Sequence, residues 1–231
     1  MKENLAARAY ETLRERVVSG DLPPGTRLVN RTLAKELGIS FTPVREAINQ
    51  LASEGLVDYV RGGGAFVRTL DRKELAELYD LRMILEPFGA KQAALRISSE
   101  QIEDLESICS ELLTIAHDLR ECDDPALAFD LAQRWSSNEE LFHATLLEAA
   151  ENRWLAKTAR DLQFVSRTLT AAREMPELLS TPMVARTWKD HRSLIRFLRN
   201  GDGDGASEWM ERHIRRGRDG VLDFLKKKNS R

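Results

Sequence analysis

Residues 33 to 68, LAKELGISFTPVREAINQLASEGLVDYVRGGGAFVR, carry two short helical spacings separated by a glycine, followed by two β-type runs around three consecutive glycines. Few folds accommodate that order. Asn30 is placed to cap a short helix bearing Leu33, Ala34 and Leu37, which Gly38 then stops and turns. Thr42 is placed to cap a second helix with Pro43 in its first turn, where a missing N–H does no harm. Val44, Ala47, Ile48 and Leu51 follow at i, i+3, i+4 and i+7, so one face of that helix is directed to a core. Leu56 to Val60 and Ala65 to Val67 read as strands on either side of an Arg61-Gly62-Gly63-Gly64 turn.

The opposite face of the second helix carries Thr42, Arg45, Asn49 and Gln50, side chains of the kind that reach base edges and phosphates. When two helices meet across such a turn, the N-terminal part of the second enters the major groove. Double-stranded operator DNA is therefore the expected partner, contacted by Phe41, Thr42, Arg45 and Asn49 with Arg45 foremost, and by Arg31 on the first helix. Gly62 and Gly63 let the hairpin tip lie close to a phosphate backbone, with Arg61 and Arg68 as flanking charge. Singly, each feature has an ordinary reading: Arg45 can pair with Glu46 or Glu54, and the glycines can form a plain hairpin tip. Their order and spacing favour DNA binding.

A reader of this kind fills residues 1–70, and residues 71–231 suffice for a second domain of ordinary size. The net charge of −2 argues against non-specific coating of nucleic acid. Its distribution is more telling: residues 1–70 hold 10 Lys and Arg against 8 Asp and Glu, and the rest hold 25 against 29. The basic surplus sits with the helix-turn-helix. Cys109 and Cys122 are isolated thiols with neither metal-type spacing nor a disulfide framework, which points to a reducing cytoplasm. The N-terminal MKENLAARAYETLRERVV is a charged amphipathic helix rather than a signal segment, and no run approaches the ~18 apolar residues of a membrane span.

From residue 71 onward the pattern is helical. Leu75, Leu78, Leu81, Leu85 and Phe88 mark one long helix, and apolar stripes over about 99–120, 124–150, 152–173, 182–199 and 203–226 mark five more. The breaks are short, at Ile97-Ser98, Cys122 to Pro125, Met175-Pro176 and Asn200 to Gly203. The fold class expected is mainly α: an N-terminal winged helix-turn-helix and a C-terminal antiparallel all-α bundle, whose interior is a common place for ligand and metal sites. Glu139 and His143 share a helix face, and His191 and His213 lie on two later helices. Three imidazoles and a carboxylate suit a divalent transition metal such as Zn, Ni or Mn with positions left open. The same residues also read as separate hydrogen-bonded core or surface groups, as does His117, alone on its helix. Arg82 interrupts an apolar face and needs an anion there, either Glu86 one turn along or the carboxylate of a ligand.

Residues 5 to 69, with GDLPPGTRL at Gly20 to Leu28, then L-A-x-E-L-G-I-S and T-P-V-R-E-A, resemble the N-terminal winged helix-turn-helix of GntR-superfamily transcription regulators. One position departs from that family: a basic residue, most often arginine, is usual where this chain has Phe41, which implies a changed half-site. SNEELFHATLLEAAENRWL (Ser137 to Leu155), K-D-H (Lys189 to His191) and ASEWMERHI (Ala206 to Ile214) are similar to the FCD effector domain of the FadR-like branch. The resemblance implies a metal held by Glu139, His143, His191 and His213, with glutamate in place of the usual aspartate, and a cap at Asn152. In the L-Y-x-x-R-x-x-L-E context from Leu78 to Glu86 it implies a small carboxylate effector on Arg82. A homodimeric, ligand-responsive regulator follows, more often a repressor, and not an enzyme. Two rival readings use the same residues: a metal-dependent hydrolase with Glu140 or Glu139 as general base, and a regulator with a purely structural metal.

Overall fold

The computed structural model describes residues 4–171 and 181–228. The chain divides into two compact units, one running to Asp71 and joined by the segment from Phe164, the other containing the remainder.

In the first unit, α1 (Leu5–Val18) starts where the Ala7 amide donates to Asn4 Oδ1 at 3.2 Å. It buries Ala9, Leu13 and Val17 along one face, and packs on α3 (Phe41–Ser53). Val44, Ala47, Ile48 and Leu51 of α3 are fully buried, as their spacing requires. Between these helices lie β1 (Arg27–Leu28) and α2 (Asn30–Leu37), the latter ending on Gly38 in the left-handed conformation. β2 (Val57–Val60) and β3 (Gly64–Val67) complete an antiparallel sheet of order β1-β3-β2, with Tyr59 opposite Ala65 and Arg27 opposite Phe66. Two residues are too few for alternation to register, so β1 escaped the sequence reading.

The predicted caps of the two reader helices are corrected. Val29 and Ser40 occupy the N-cap positions, and neither side chain caps its helix. Both helices start earlier than Asn30 and Thr42 would set, because the extended backbone that an N-cap needs lies at Val29 and Ser40. Pro43 still falls in the first turn of α3, among amides that lack an intrahelical partner in any case.

The second unit is built from α4 (Arg72–Ala94), α5 (Ser99–Glu121), α6 (Pro125–Ala149), α7 (Arg153–Ala171) as far as Gln163, α8 (Thr181–Arg199) and α9 (Gly203–Lys228). Ser98 and Gln101 form a capping box for α5, Asp124 caps α6 ahead of Pro125, and Asn152 Oδ1 accepts from the Leu155 amide at 3.1 Å to cap α7. Breaks as short as Cys122 to Asp124 and Asn200 to Asp202 fold α5 on α6 and α8 on α9 as antiparallel pairs. α9 lies along α4, and the core gathers Leu105, Leu112, Ile115, Leu131, Trp135, Phe142 and Met210. The predicted break at Met175-Pro176 lies outside the described residues.

On α4 the buried face differs from the predicted stripe. Leu75 is buried, but Leu81 and Phe88 are 48% and 50% exposed. Glu86, Pro87, Gly89, Ala90, Ala93 and Ala94 face inward instead. A Cβ on Gly89 would lie 2.6 Å from Leu147 Cδ2, so small residues let α4 approach α6 where a larger stripe could not. Among the described residues no helix is long and apolar enough to cross a membrane.

Candidate DNA-reading face and metal centre

Arg31, Phe41, Thr42, Arg45, Asn49, Arg61 and Gly62 are exposed, and Gly63 is half-buried. Phe41, Arg45 and Asn49 follow one another at four-residue intervals along one face of α3. The Arg45 guanidinium carbon stands 5.9 Å from the Phe41 ring centroid, at the outer limit of a cation–π contact. Glu54, one suggested partner for Arg45, accepts instead from the Tyr10 hydroxyl at 2.7 Å. Asn49 is not loose: its Oδ1 accepts from the Tyr59 hydroxyl of β2 at 2.7 Å. At the wing tip Gly62 and Gly64 have φ of 75° and 102°, backbone that side-chain-bearing residues rarely adopt. A Cβ on Gly64 would sit 3.7 Å from Arg27 Nε, so Arg27 adds a basic group beside the wing that the sequence reading missed. Arg68 leans to Asp58 at 3.8 Å.

In the second unit, Glu139 and His143 on α6, His191 on α8 and His213 on α9 converge. One ligand-capable atom from each lies within 4.8 Å of the others. Two ligands bound about 2.1 Å from one ion stand at most about 4.2 Å apart, and about 3.4 Å apart in a tetrahedral site, so a pair at the 4.8 Å limit closes by roughly 0.6–1.4 Å to share an ion. His191 tests the fit. It is 1% exposed; its Nδ1 stands 3.5 Å from Glu139 Oε1, and neither Nδ1 nor Nε2 makes a hydrogen bond among the described residues. Leaving such a group unsatisfied costs about 1–3 kcal/mol, and an ion at the cluster would remove that cost. Phe142 stacks on the His191 ring at 3.8 Å and 5°, which holds its plane. Burial, and then the rings of His213 and His143, keep His191 well below the usual histidine range, hence neutral with a lone pair to give.

A second layer surrounds the cluster. Glu86 Oε1 accepts from Arg82 Nε at 2.6 Å, and Glu86 Oε2 lies 2.7 Å from His143 Nδ1. Burial alone would raise the Glu86 carboxyl, but Arg82 and His143 outweigh it and hold the group below the usual carboxylate range. An ionised Glu86 only accepts, so the proton lies on His143 Nδ1 and Nε2 is left with its lone pair. Glu86, one of the two anions the sequence offered Arg82, is in contact with it, and the Tyr79 ring covers the guanidinium at 4.9 Å. Beside His191, Asp190 takes Arg216 Nη1 at 2.8 Å on each oxygen and stands 3.7 Å from His213 Nδ1. The Trp209 indole donates to the Asp190 backbone carbonyl at 2.9 Å. Asp190 also escaped the sequence reading, although it sits inside the K-D-H run. His117 is exposed on α5, and Glu140, Cys109 and Cys122 contribute no atom to the cluster.

A winged helix-turn-helix followed by a helical domain defines a transcriptional regulator. The chain belongs to the GntR family of bacterial regulatory proteins: that family's model matches residues 5–67, and the FCD domain matches residues 77–216. It is 35% identical over 147 residues to the gluconate operon transcriptional repressor of Bacillus subtilis (strain 168), a match spanning 64% of this chain and 55% of that one. It is 27% identical over 209 residues to the Nta operon transcriptional regulator of Aminobacter aminovorans, covering 90% of each. The solved structure of E. coli McbR/YncC shares the fold, with a TM-score of 0.75 and 18% identity over 96% of this chain and 99% of that one.

Proposed function

We propose that the chain is an operator-binding repressor whose DNA affinity is set by a small organic acid, bound together with a divalent transition metal (Zn, Ni or Mn) in the helical domain. Residues 1–70 would read DNA through Arg31, Phe41, Thr42, Arg45, Asn49, Arg61, Gly62 and Gly63, and residues 71–231 would hold the effector and the dimer contact. The observation that carries the proposal is His191, buried and without a hydrogen bond at the centre of a four-ligand cluster. Glu139, His143, His191 and His213 would hold the ion, which supplies a Lewis-acidic anchor for a carboxylate. Arg82 would hold the acid through the guanidinium edge that Glu86 leaves.

The name of the gluconate operon repressor supports the repressor sign and makes hydroxycarboxylates the first acids to screen. Leu81, Ile84 and Phe88, exposed at i, i+3 and i+7 on α4, support a homodimer in which a second copy covers this stripe. A DNA partner and the absence of a membrane-crossing helix among the described residues support a cytoplasmic home. Relatives that are regulators support binding rather than turnover.

The test is a thermal-shift screen of small mono-, di- and tricarboxylates with and without chelator, followed by mobility-shift titration with each hit. An effector raises the melting temperature by mass action, loses that effect in chelator and weakens operator binding. The occupied state of Arg82 favours one rival, a purely structural metal. Metal-dependent stability with no acid altering DNA affinity would establish that rival.

A further inference from the structure

Glu86 is 0% exposed, yet neither DNA reading nor the four-ligand cluster requires it. A carboxylate is kept in such a place only when its charge and lone pairs are matched, and Glu86 divides its two oxygens between Arg82 and His143. The contact is built by the fold. Glu86 lies one turn before Gly89, where α4 passes close to Leu147 of α6, the helix that carries His143. Among the described residues, His143 is the ring of the three that holds a short hydrogen bond. His191 Nδ1 is 3.5 Å from Glu139 Oε1 and makes no hydrogen bond, and His213 Nδ1 is 3.7 Å from Asp190.

We infer that Glu86 is a positioning residue for the metal centre: it locks His143 with the proton on Nδ1 so that Nε2 faces the cluster, and Arg82 is its counter-ion. A carboxylate behind a ligating imidazole fixes ring orientation and raises ligand basicity, and losing it typically weakens metal affinity about 10–100-fold. Arg82 then touches the metal side through Glu86 and an incoming carboxylate through its other edge. Acid and metal binding are thereby coupled, each strengthening or weakening the other by the same factor.

The inference rests on the metal reading proposed above, and the experiment separates the two. Chelator-stripped wild type and Glu86→Gln are titrated with Zn2+ alone by calorimetry. Glutamine keeps the size of the side chain and removes its charge, and the expected result is about 10–100-fold weaker zinc binding. Equal affinity in the two proteins overturns the role of Glu86 and leaves the metal centre standing. A wild type that takes up no zinc overturns both. Should Glu86→Gln not fold, long-range 1H–15N spectra of histidine-labelled wild type decide: His143 protonated on Nδ1 and metallated on Nε2 upholds the inference, and metallation on Nδ1 overturns it.

Discussion

The Tyr59 hydroxyl donates to Asn49 Oδ1 at 2.7 Å, tying the wing to the exposed face of α3. With its oxygen engaged, the Asn49 amide offers DNA its N–H donors first, which suits phosphate oxygens and base acceptors better than the two-ended contact with adenine. Tyr59→Phe should free the oxygen, change operator affinity by about 0.5–1.5 kcal/mol and shift preference toward adenine at the facing base. Selecting bound DNA from a random pool with both proteins checks this, and identical selections would take Asn49 out of the reading set.

Arg45→Ala should weaken operator binding by about 1–3 kcal/mol while leaving the fold intact. The residue is exposed, and the core face of α3 at Val44, Ala47, Ile48 and Leu51 is untouched. Loss of sequence preference would mark a base contact, and uniform weakening a phosphate contact. Unchanged affinity in a mobility-shift titration at fixed salt would exclude Arg45 from DNA.

Phe41 is 43% exposed and offers a ring where the family resemblance implies a basic residue, most often arginine. It has no donor for guanine N7 and O6, though it can contact a thymine methyl. Phe41→Arg should therefore gain a guanine in the selected half-site. A guanine already preferred by the wild type, and retained in Phe41→Ala, would assign that reading to another residue.

Arg82→Ala should still bind zinc at one ion per chain when zinc is saturating, since arginine is not a metal ligand. It should lose most of the stabilisation by carboxylates, worth about 1.5–3 kcal/mol for a charge-assisted contact. Elemental analysis and calorimetry on one preparation check both. An undiminished carboxylate response would remove Arg82 from the effector site.

Tyr10 carries a pH signature in the first unit. Burial, and then its hydrogen bond to Glu54, push its hydroxyl from 10.0 up to about 12. The folded state thus keeps a proton that the unfolded state releases. The resulting stabilisation is fully present below pH 10.0 and is lost as pH rises toward about 12. Urea unfolding of wild type and Tyr10→Phe at steps across that window should show the difference between them shrinking, and a constant difference would contradict it.

Much of the first unit was legible because local spacing writes it. The core face of α3 is a 3.6-residue repeat, and the wing is two β-runs around glycines. The two-residue β1, and with it Arg27 beside the wing, carried no periodic signal. In the helical unit the shared face of Glu139 and His143 followed from their four-residue separation. Their meeting with His191 and His213 was carried by the family resemblance, not by spacing.

The face of α4 shows where sequence alone ran out. Residues 72–94 carry two faces able to pack, and the larger apolar side chains marked the wrong one. Close approach at Gly89 decided between them, and so placed Glu86 against His143, 57 residues further along the chain. By itself the sequence determined which side chains share a face, because backbone geometry repeats over three or four residues. Only the tertiary structure decided which faces meet, because a contact between residues distant along the chain depends on packing and leaves no period to read.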